Sequence, residues 1–177
     1  MPEIITQDGT IKQDDWVLVS RPEDGEPLKL PENQPALIPM DIWLADPHAI
    51  VHKPGLGIWL ESHDEPERLE GMVNDLPLIA VNFPKFSDGR GYSIGRLLRE
   101  RLGYRNELRA VGDVLLDQLQ FMKRCGFDSY ALRPDKDINK AARCLNFFSQ
   151  SYQAATDTDI PLFRRRAGQT RRRQNAS

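Results

Sequence analysis

Short apolar runs alternate with amphipathic stretches from residue 57 onward. The apolar runs are three to six residues long and predict buried strands over 58–60, 78–83, 108–111 and 129–132. Between and after them, apolar residues recur at spacings of three and four, which predicts helices over 66–76, 92–102, 114–125 and 137–152. Gly103 and Gly126 follow two of these stretches, at positions where glycine commonly ends a helix.

About four strand–helix units of this kind predict an α/β fold built on a parallel sheet with right-handed crossovers. Two architectures fit the pattern: a half-barrel-like arc and an open doubly wound sheet. Polar residues follow the strands in every unit, which favours the barrel-like arc. The strand candidates Ile4–Ile5 and Trp16–Val19 predict a small β-rich segment before these units. We therefore expect an N-terminal lead-in over 1–56 packed on the main domain, a βα-repeat domain over 57–153, and a flexible basic tail over 154–177.

The formal net charge of −2 hides an uneven distribution along the chain. Six arginines lie at 164–166 and 171–173, and without them 18 basic residues stand against 26 acidic ones. Nucleic-acid binding is not expected, because phosphate contacts need a basic surface. No apolar run approaches the ~20 residues of a membrane span, so no membrane contact is expected either.

The cysteines and histidines show no spacing typical of a metal or redox site. Cys125 and Cys144 form no CxxC motif and are predicted to be small buried side chains. His48 and His52 lie in an extended stretch between prolines, so no metal site is expected. Few cysteines and a start that lacks signal-peptide features predict a cytoplasmic location.

Candidate chemistry lies beyond the predicted strand ends, where both architectures bind their ligands. Charged residues follow the second, third and fourth strands of the repeat: Lys85, Asp88, Arg90, Asp113 and Arg133. We expect them to share one rim, because parallel strands end at the same edge of a sheet. The cations would bind a small anion or the acidic surface of a partner. Asp88 and Asp113 are the candidate catalytic groups for proton transfer.

Two glycines in this region suggest a phosphate-binding turn. Gly89 and Gly91 flank Arg90 directly before a predicted helix, where backbone N–H groups can face an anion. Gly95 and Asp113 extend the pattern toward a dinucleotide fingerprint, although the third glycine comes one position late and Asp113 also suits a helix N-cap. No cofactor is evident from the sequence, and NAD(P) or a flavin stays open as an alternative.

The helix predicted after this turn carries Arg96, Arg99 and Arg101. One interpretation is a docking surface, because charged patches steer transient protein partners toward each other. The other is a tight turn followed by a solvated basic helix face, with Glu100 as a nearby charge partner.

Two stretches carry a family resemblance: 83–104, FPKFSDGRGYSIGRLLRERLGY, and 107–127, ELRAVGDVLLDQLQFMKRCGF. Over about residues 78–132 the chain resembles the bacterial domain-of-unknown-function family 934. Members of that family are commonly labelled probable oxidoreductases of sulfite reduction, and their genes tend to neighbour sulfite reductase genes. The resemblance implies a pathway, the assimilatory reduction of sulfate to sulfide for cysteine synthesis. It transfers no catalytic residue.

The leading functional hypothesis is an accessory protein that binds sulfite reductase or its electron donor and assists electron delivery or assembly. One alternative is a small barrel-like enzyme acting on an anionic sulfur or phosphate compound, with Lys85, Arg90 and Arg133 holding the anion. Another is a non-catalytic interaction protein. Whether the chain is an enzyme is left open, because the family label comes without a cofactor fingerprint. Uncovered sheet edges leave a homodimer open as well.

Overall fold

The computed structural model describes residues 2–23, 26–45 and 55–145. Within these ranges the chain forms one eight-stranded sheet: β1 (Glu3–Thr6), β2 (Ile11–Gln13), β3 (Val17–Leu18), β4 (Ala36–Pro39), β5 (Leu56–Leu60), β6 (Leu78–Phe83), β7 (Glu107–Gly112) and β8 (Ser129–Tyr130). It also forms four α-helices: α1 (Met40–Ala45), α2 (Arg90–Arg96), α3 (Leu119–Arg124) and α4 (Ile138–Leu145). No helix in these ranges is long and apolar enough to cross a bilayer.

The strand order is β2-β1-β8-β7-β6-β5-β4-β3. From β3 to β8 each strand pairs in parallel with the next one in the chain, so the winding never reverses direction. This order excludes the doubly wound alternative and produces a curled, half-barrel-like sheet. The expectation of four parallel βα units is wrong in detail, because the sheet is mixed. The short strands β3 and β4 extend its parallel part, and β1 and β2 pair antiparallel at the β8 edge.

Several connections are shorter or tighter than the periodicity predicts. The helix expected over 66–76 consists of two 3₁₀ helices, Pro66–Leu69 and Val73–Asp75. Gly71 lies between them with φ +82°, a conformation that ends any regular right-handed helix. The helix expected over 114–125 is a 3₁₀ turn, Leu116–Gln118, followed by α3. α2 continues as a π-helical turn, Leu97–Arg101, and the part of the last predicted helix beyond 145 lies outside the described residues.

The helices pack on the convex face of the sheet. Ile79, Val81 and Phe83 alternate along β6 and belong to the same buried cluster as Ile94 of α2 and Met122 of α3. The intervening residues face the concave side, where a second apolar cluster contains Leu37, Trp59, Leu78, Ala80 and Val111. The core therefore has a large outer layer under the helices and a smaller inner layer inside the arc.

Residues 14–16 connect the two opposite edges of the sheet, and we call them the strap. They link Gln13 at the end of β2 to Val17 at the start of β3, so four peptide units span at most about 14 Å. In a flat sheet these two edge strands would lie about 34 Å apart, at about 4.8 Å per strand. The strap is therefore possible only because the sheet curls strongly.

The strap packs against the concave face and fills it. Trp16 packs on the inner cluster, and a β-carbon at Gly57 would lie 3.2 Å from its ring. Asp14 forms an ion pair with Arg109 of β7 at 2.6 Å, and Arg109 is only 2% exposed. Arg109 also pairs with Glu107 at 2.7 Å. The interior of the arc is thus closed by one aromatic side chain and one buried ion cluster.

Candidate functional site

The carboxyl ends of β5 to β8 form the rim, as expected for parallel strands that end at one edge. Asn82 Nδ2 donates to Glu61 Oε2 at 2.9 Å, which joins the ends of β5 and β6. Arg133 Nη1 donates to Asp113 Oδ1 at 2.7 Å, which joins the ends of β7 and β8. These contacts connect residues far apart in sequence into one continuous polar edge.

Asp113 is the central link of the rim. Its second carboxylate oxygen accepts a hydrogen bond from the backbone N–H of Phe86 at 2.9 Å, so it ties the loop after β6 to the loop after β8. It does not cap a helix: the following 3₁₀ helix starts after Leu115. With Arg133 and Phe86 both bonded to it, Asp113 is a crosslink between loops.

Asp88 and Arg90 neutralise each other at the start of α2. Arg90 donates from Nη2 and Nε to the Asp88 carboxylate at 2.6 and 2.9 Å. The Arg90 backbone N–H also donates to it, at 3.1 Å, so the carboxylate lies at the amino end of the helix. Two groups hold the pKa of Asp88 well below its usual range: the Arg90 guanidinium has the larger effect and the buried Ser62 hydroxyl the smaller one. A carboxylate held in its charged form this strongly is a weak proton acceptor at neutral pH.

Arg133 is shared between two carboxylates. Besides Asp113, it donates from Nε to Asp135 at 2.6 Å, and Lys136 pairs with the same Asp135 at 2.9 Å. The Arg133 guanidinium lowers the pKa of Asp135, and the two carboxylates raise the pKa of Arg133. Arg133 and Lys136 line a shallow depression of about 270 Å³ together with Pro2 and Leu132.

Lys85 differs from the other two predicted anion-binding residues. It is exposed in the loop after β6 and forms no ion pair with any residue that the structure describes. Arg90 and Arg133 are engaged by carboxylates of the chain itself. A small anion at this rim would have to compete with Asp88 and Asp113, so among the described rim residues only Lys85 offers an unoccupied positive charge.

Packing explains Gly91 of the candidate phosphate turn and Gly95 beyond it. A β-carbon at Gly91 would lie 2.7 Å from the ring of Phe83, and one at Gly95 would lie 2.6 Å from the ring of Phe127. Both glycines let α2 approach the sheet closely. At Gly89 no atom lies within 4 Å of the position of a β-carbon. The spacing that resembles a dinucleotide turn therefore follows from helix–sheet contact, and the position for an anion is filled by Asp88.

The three arginines after this turn have different roles. Arg96 pairs with Glu100 one helical turn away at 2.9 Å, and Arg101 approaches Glu67 at 3.6 Å. Both are more than half exposed. Arg99 is 14% exposed and donates to the backbone carbonyls of Tyr104, Asn106 and Gly126 and to the carboxylate of Asp128.

Arg99 therefore holds the turns at the amino ends of β7 and β8, on the side of the sheet opposite the rim. Burial raises the pKa of Asp128, while the Leu108 N–H and Arg99 act in the opposite direction. Asp128 accepts one backbone and one guanidinium donor, which stabilise its ionised form. Arg99 is a structural residue, and the predicted docking surface reduces to Arg96 and Arg101.

Two exposed aromatic residues were missed by the sequence reasoning. Phe86 is 61% exposed in the loop after β6, and Phe121 is 53% exposed on α3. A signal was available for both. Phe86 lies in a polar loop that needs no large apolar side chain, and Phe121 lies between Leu119 and Met122, off the apolar stripe of its helix.

Together, the winding order and the filled interior define the class: an α/β protein with one curled, sequentially wound sheet and a charged rim. The chain belongs to a bacterial protein family of unknown function (DUF934), whose model matches residues 57–163, more than half of the chain. This match confirms the family resemblance. No curated protein and no solved structure matches the chain.

Proposed function

We propose that this protein is an accessory protein of assimilatory sulfite reduction in the cytoplasm. In this role it binds sulfite reductase or its electron donor and assists electron delivery or assembly. The pathway follows from what the family resemblance implies. The internally paired charges of the rim support binding of a protein partner in preference to turnover of a small molecule.

The observation that carries the proposal is the internal pairing of the rim cations. Arg90 and Arg133 already bind Asp88 and Asp113 at 2.6 and 2.7 Å, so the rim is a preformed polar surface with little free charge for a small anion. Surfaces of this type suit protein partners, because exposed paired charges rearrange at low cost and set orientation and association rate. Asp88, one of the two candidates for proton transfer, is held as a carboxylate at neutral pH.

The docking surface proposed on α2 consists of Arg96 and Arg101. Their side chains are 55% and 68% exposed, and their carboxylate partners are also exposed, so a partner can replace them. Arg99 is left out of this surface because its guanidinium is engaged by three carbonyls and Asp128.

The test is the affinity of the purified full-length chain for purified sulfite reductase and for its electron donor, measured at low and at moderate salt. We expect the wild type to bind one of them, and the double substitution Arg96→Gln/Arg101→Gln to weaken binding roughly 3- to 10-fold, mostly through slower association. Arg21→Gln is the matched control, because Arg21 is a half-exposed arginine paired with Asp41 near the opposite edge of the sheet. It should leave the affinity unchanged.

Absence of binding to both proteins would overturn the proposal. A rise in melting temperature with sulfite or adenylyl sulfate would then favour the small-molecule enzyme. Equal affinities of the wild type and the double variant would leave the accessory role in place but remove α2 from the docking surface.

A further inference from the structure

We propose that Phe86 is the anchor of an aromatic docking face formed by Phe86, Tyr92 and Phe121. Its occupant is a partner protein with an apolar pocket rimmed by carboxylates. The inference deepens the proposed function and rests on it, since it names the chemistry of the partner surface. It explains why Phe86 and Phe121 are exposed, which the charged rim does not.

Phe86 is held in place by its backbone while its side chain points outward. Its N–H donates to Asp113 Oδ2 at 2.9 Å, and its carbonyl accepts from Gln118 Nε2 at 2.8 Å. An exposed phenylalanine on a loop fixed at both backbone groups loses little conformational entropy on binding. This is the property expected of an anchor side chain that enters a pocket on a partner.

The aromatic surface continues from Phe86 along α3. Gln118, which binds Phe86, precedes Phe121 by about one helical turn. The Phe121 ring meets Tyr92 edge-on at 4.8 Å between centroids, and Tyr92 meets the buried Phe83 at 5.1 Å. The Phe121 ring is thus supported by Tyr92 and the core, whereas Phe86 is held through its backbone.

Three cations lie near Phe86 at the rim, and we call them the collar: Lys85 precedes it, Arg90 follows at the start of α2, and Arg133 binds the Asp113 that accepts from the Phe86 N–H. Residues of this collar make three ion pairs, and in two of them the cation is the outer member. The side chain of Arg90 is 62% exposed against 13% for Asp88, and that of Arg133 is 40% exposed against 20% for Asp113. In the third, Asp135 is the outer member, with 55% of its side chain exposed against 40% for Arg133. Lys85 adds an exposed charge next to the anchor.

Carboxylates balance Arg90 and Arg133, whereas Lys85 has no ion pair with a described residue. Asp135 is 55% exposed, but it is shared between Arg133 and Lys136. Asp117 lies near Tyr92. A partner that approaches Phe86 therefore meets the exposed charges of Lys85 and Arg90, which match a pocket with an acidic rim. A second copy of this chain fits poorly, because a symmetric contact would place one cation collar against the other.

The first measurement compares Phe86→Ala with Leu18→Ala in the full-length chain. Leu18 is 50% exposed on the edge strand β3, so both substitutions remove an exposed apolar side chain. Alanine keeps both backbone hydrogen bonds of residue 86, and we expect both variants to melt like the wild type. Phe86→Ala should weaken binding to the reductase or donor about 10-fold or more, while Leu18→Ala should change it less than about 2-fold. Lys85→Glu should weaken binding at low salt and less so at high salt.

The second measurement introduces a photoreactive benzoylphenylalanine at position 86 and, as a control, at position 18 of the full-length chain in its native cells. A crosslink from position 86 to sulfite reductase or its donor supports both the inference and the proposed function. A crosslink to another protein supports the inference alone, provided that Phe86→Ala and Lys85→Glu weaken the purified complex, and it removes the proposed function.

Three outcomes overturn the inference. The first is that Phe86→Ala binds the reductase or donor like the wild type, in which case the proposed function survives without this face. The second is crosslinking only to a second copy of the chain or to its own residues 146–177. The third is no crosslink beyond that seen at position 18.

Discussion

Gly91 lies where α2 crosses β6, and the ring of Phe83 occupies the space that a side chain would need. A β-carbon there would be 2.7 Å from two ring atoms, a distance that requires the ring or the helix to move. Phe83 is fully buried and packs against Tyr92 and Phe127, so its ring has little freedom to shift. The requirement for glycine at this position is therefore steric.

The neighbouring Gly89 offers a matched control for this explanation. Gly91→Ala should lower the free energy of unfolding by about 1–3 kcal/mol, the usual cost of overpacking a core. Gly89→Ala should stay within about 0.5 kcal/mol, because its surroundings are open and its φ of −79° suits alanine. Urea unfolding of both variants measures the difference. Equal effects at the two positions would contradict the steric explanation and would favour a ligand-binding turn.

At the scale of elements, the strap decides how the inside of the arc is closed. Arg109 points inward from β7 and meets Asp14 of the strap, Glu107 of its own strand and the Ser129 hydroxyl at 2.6, 2.7 and 3.2 Å. Because Arg109 is almost completely buried, these acceptors balance a charge that would otherwise be very costly there.

Removing Arg109 should therefore be more damaging than removing an exposed arginine. We expect Arg109→Met to lower the free energy of unfolding by about 3–5 kcal/mol, since it leaves the mostly buried Asp14 carboxylate without its ion pair. Adding Asp14→Asn should recover part of that loss, because the pair is coupled. Chemical unfolding of the single and double variants measures the coupling. Strictly additive losses would show that the strap is not held by this ion pair.

The sequence predicts the elements whose stability is local and misses those that depend on distant partners. The central strand Leu78–Phe83 and the stops at Gly103 and Gly126 follow from apolar runs and glycine chemistry, and the structure contains them. The 3₁₀ helices around Gly71 were predicted as one α-helix, because the apolar spacing looks alike over so few residues. Pairing of β1 with β8 has no sequence signal, since it depends on the register Ile5–Tyr130.

The candidate site shows the same division. Strand order alone predicts that Asp113 and Arg133 share one rim, and they form an ion pair there. The sequence does not reveal that Arg99 turns away toward Asp128, because its position on the helix surface resembles that of Arg96. Nor does it reveal that the Phe86 backbone is fixed at both ends.

For the whole molecule, acid stability depends on carboxylates stabilised by hydrogen bonds. Hydrogen bonds from the Thr6 hydroxyl, which has the larger effect, and from the Thr10 backbone N–H lower the pKa of Asp8 to about 2. Guanidinium partners lower the pKa of Asp88 and of Asp135. When the folded-state pKa of a carboxylate lies below its unfolded value of about 3.9, the ionised carboxylate stabilises the fold above about pH 3.9. This stability is lost as the pH falls through the folded-state pKa. Burial raises the pKa of Asp128, so protonation of this carboxylate at acid pH favours the folded state. Asp128 therefore offsets part of the loss.

We therefore expect the urea midpoint to hold between about pH 7 and 5 and to fall steadily below about pH 4. Asp8→Asn should lower the midpoint at pH 7 and make the fall at acid pH shallower. Asp75→Asn removes the same charge from an exposed carboxylate that accepts no side-chain hydrogen bond within the described residues, so it serves as the control. A fall of equal steepness in both variants would contradict this assignment.

The pairing of β1 with β8 also has a consequence for synthesis on the ribosome. β3 to β8 can be added one after another, each beside a neighbour that has already emerged. The hairpin of β1 and β2 emerges first, yet its inner edge is completed only when Tyr130 leaves the exit tunnel. Until then Ile4 and Ile5 lie in an apolar strand with one open edge, and we expect chaperones that bind nascent chains to bind this hairpin.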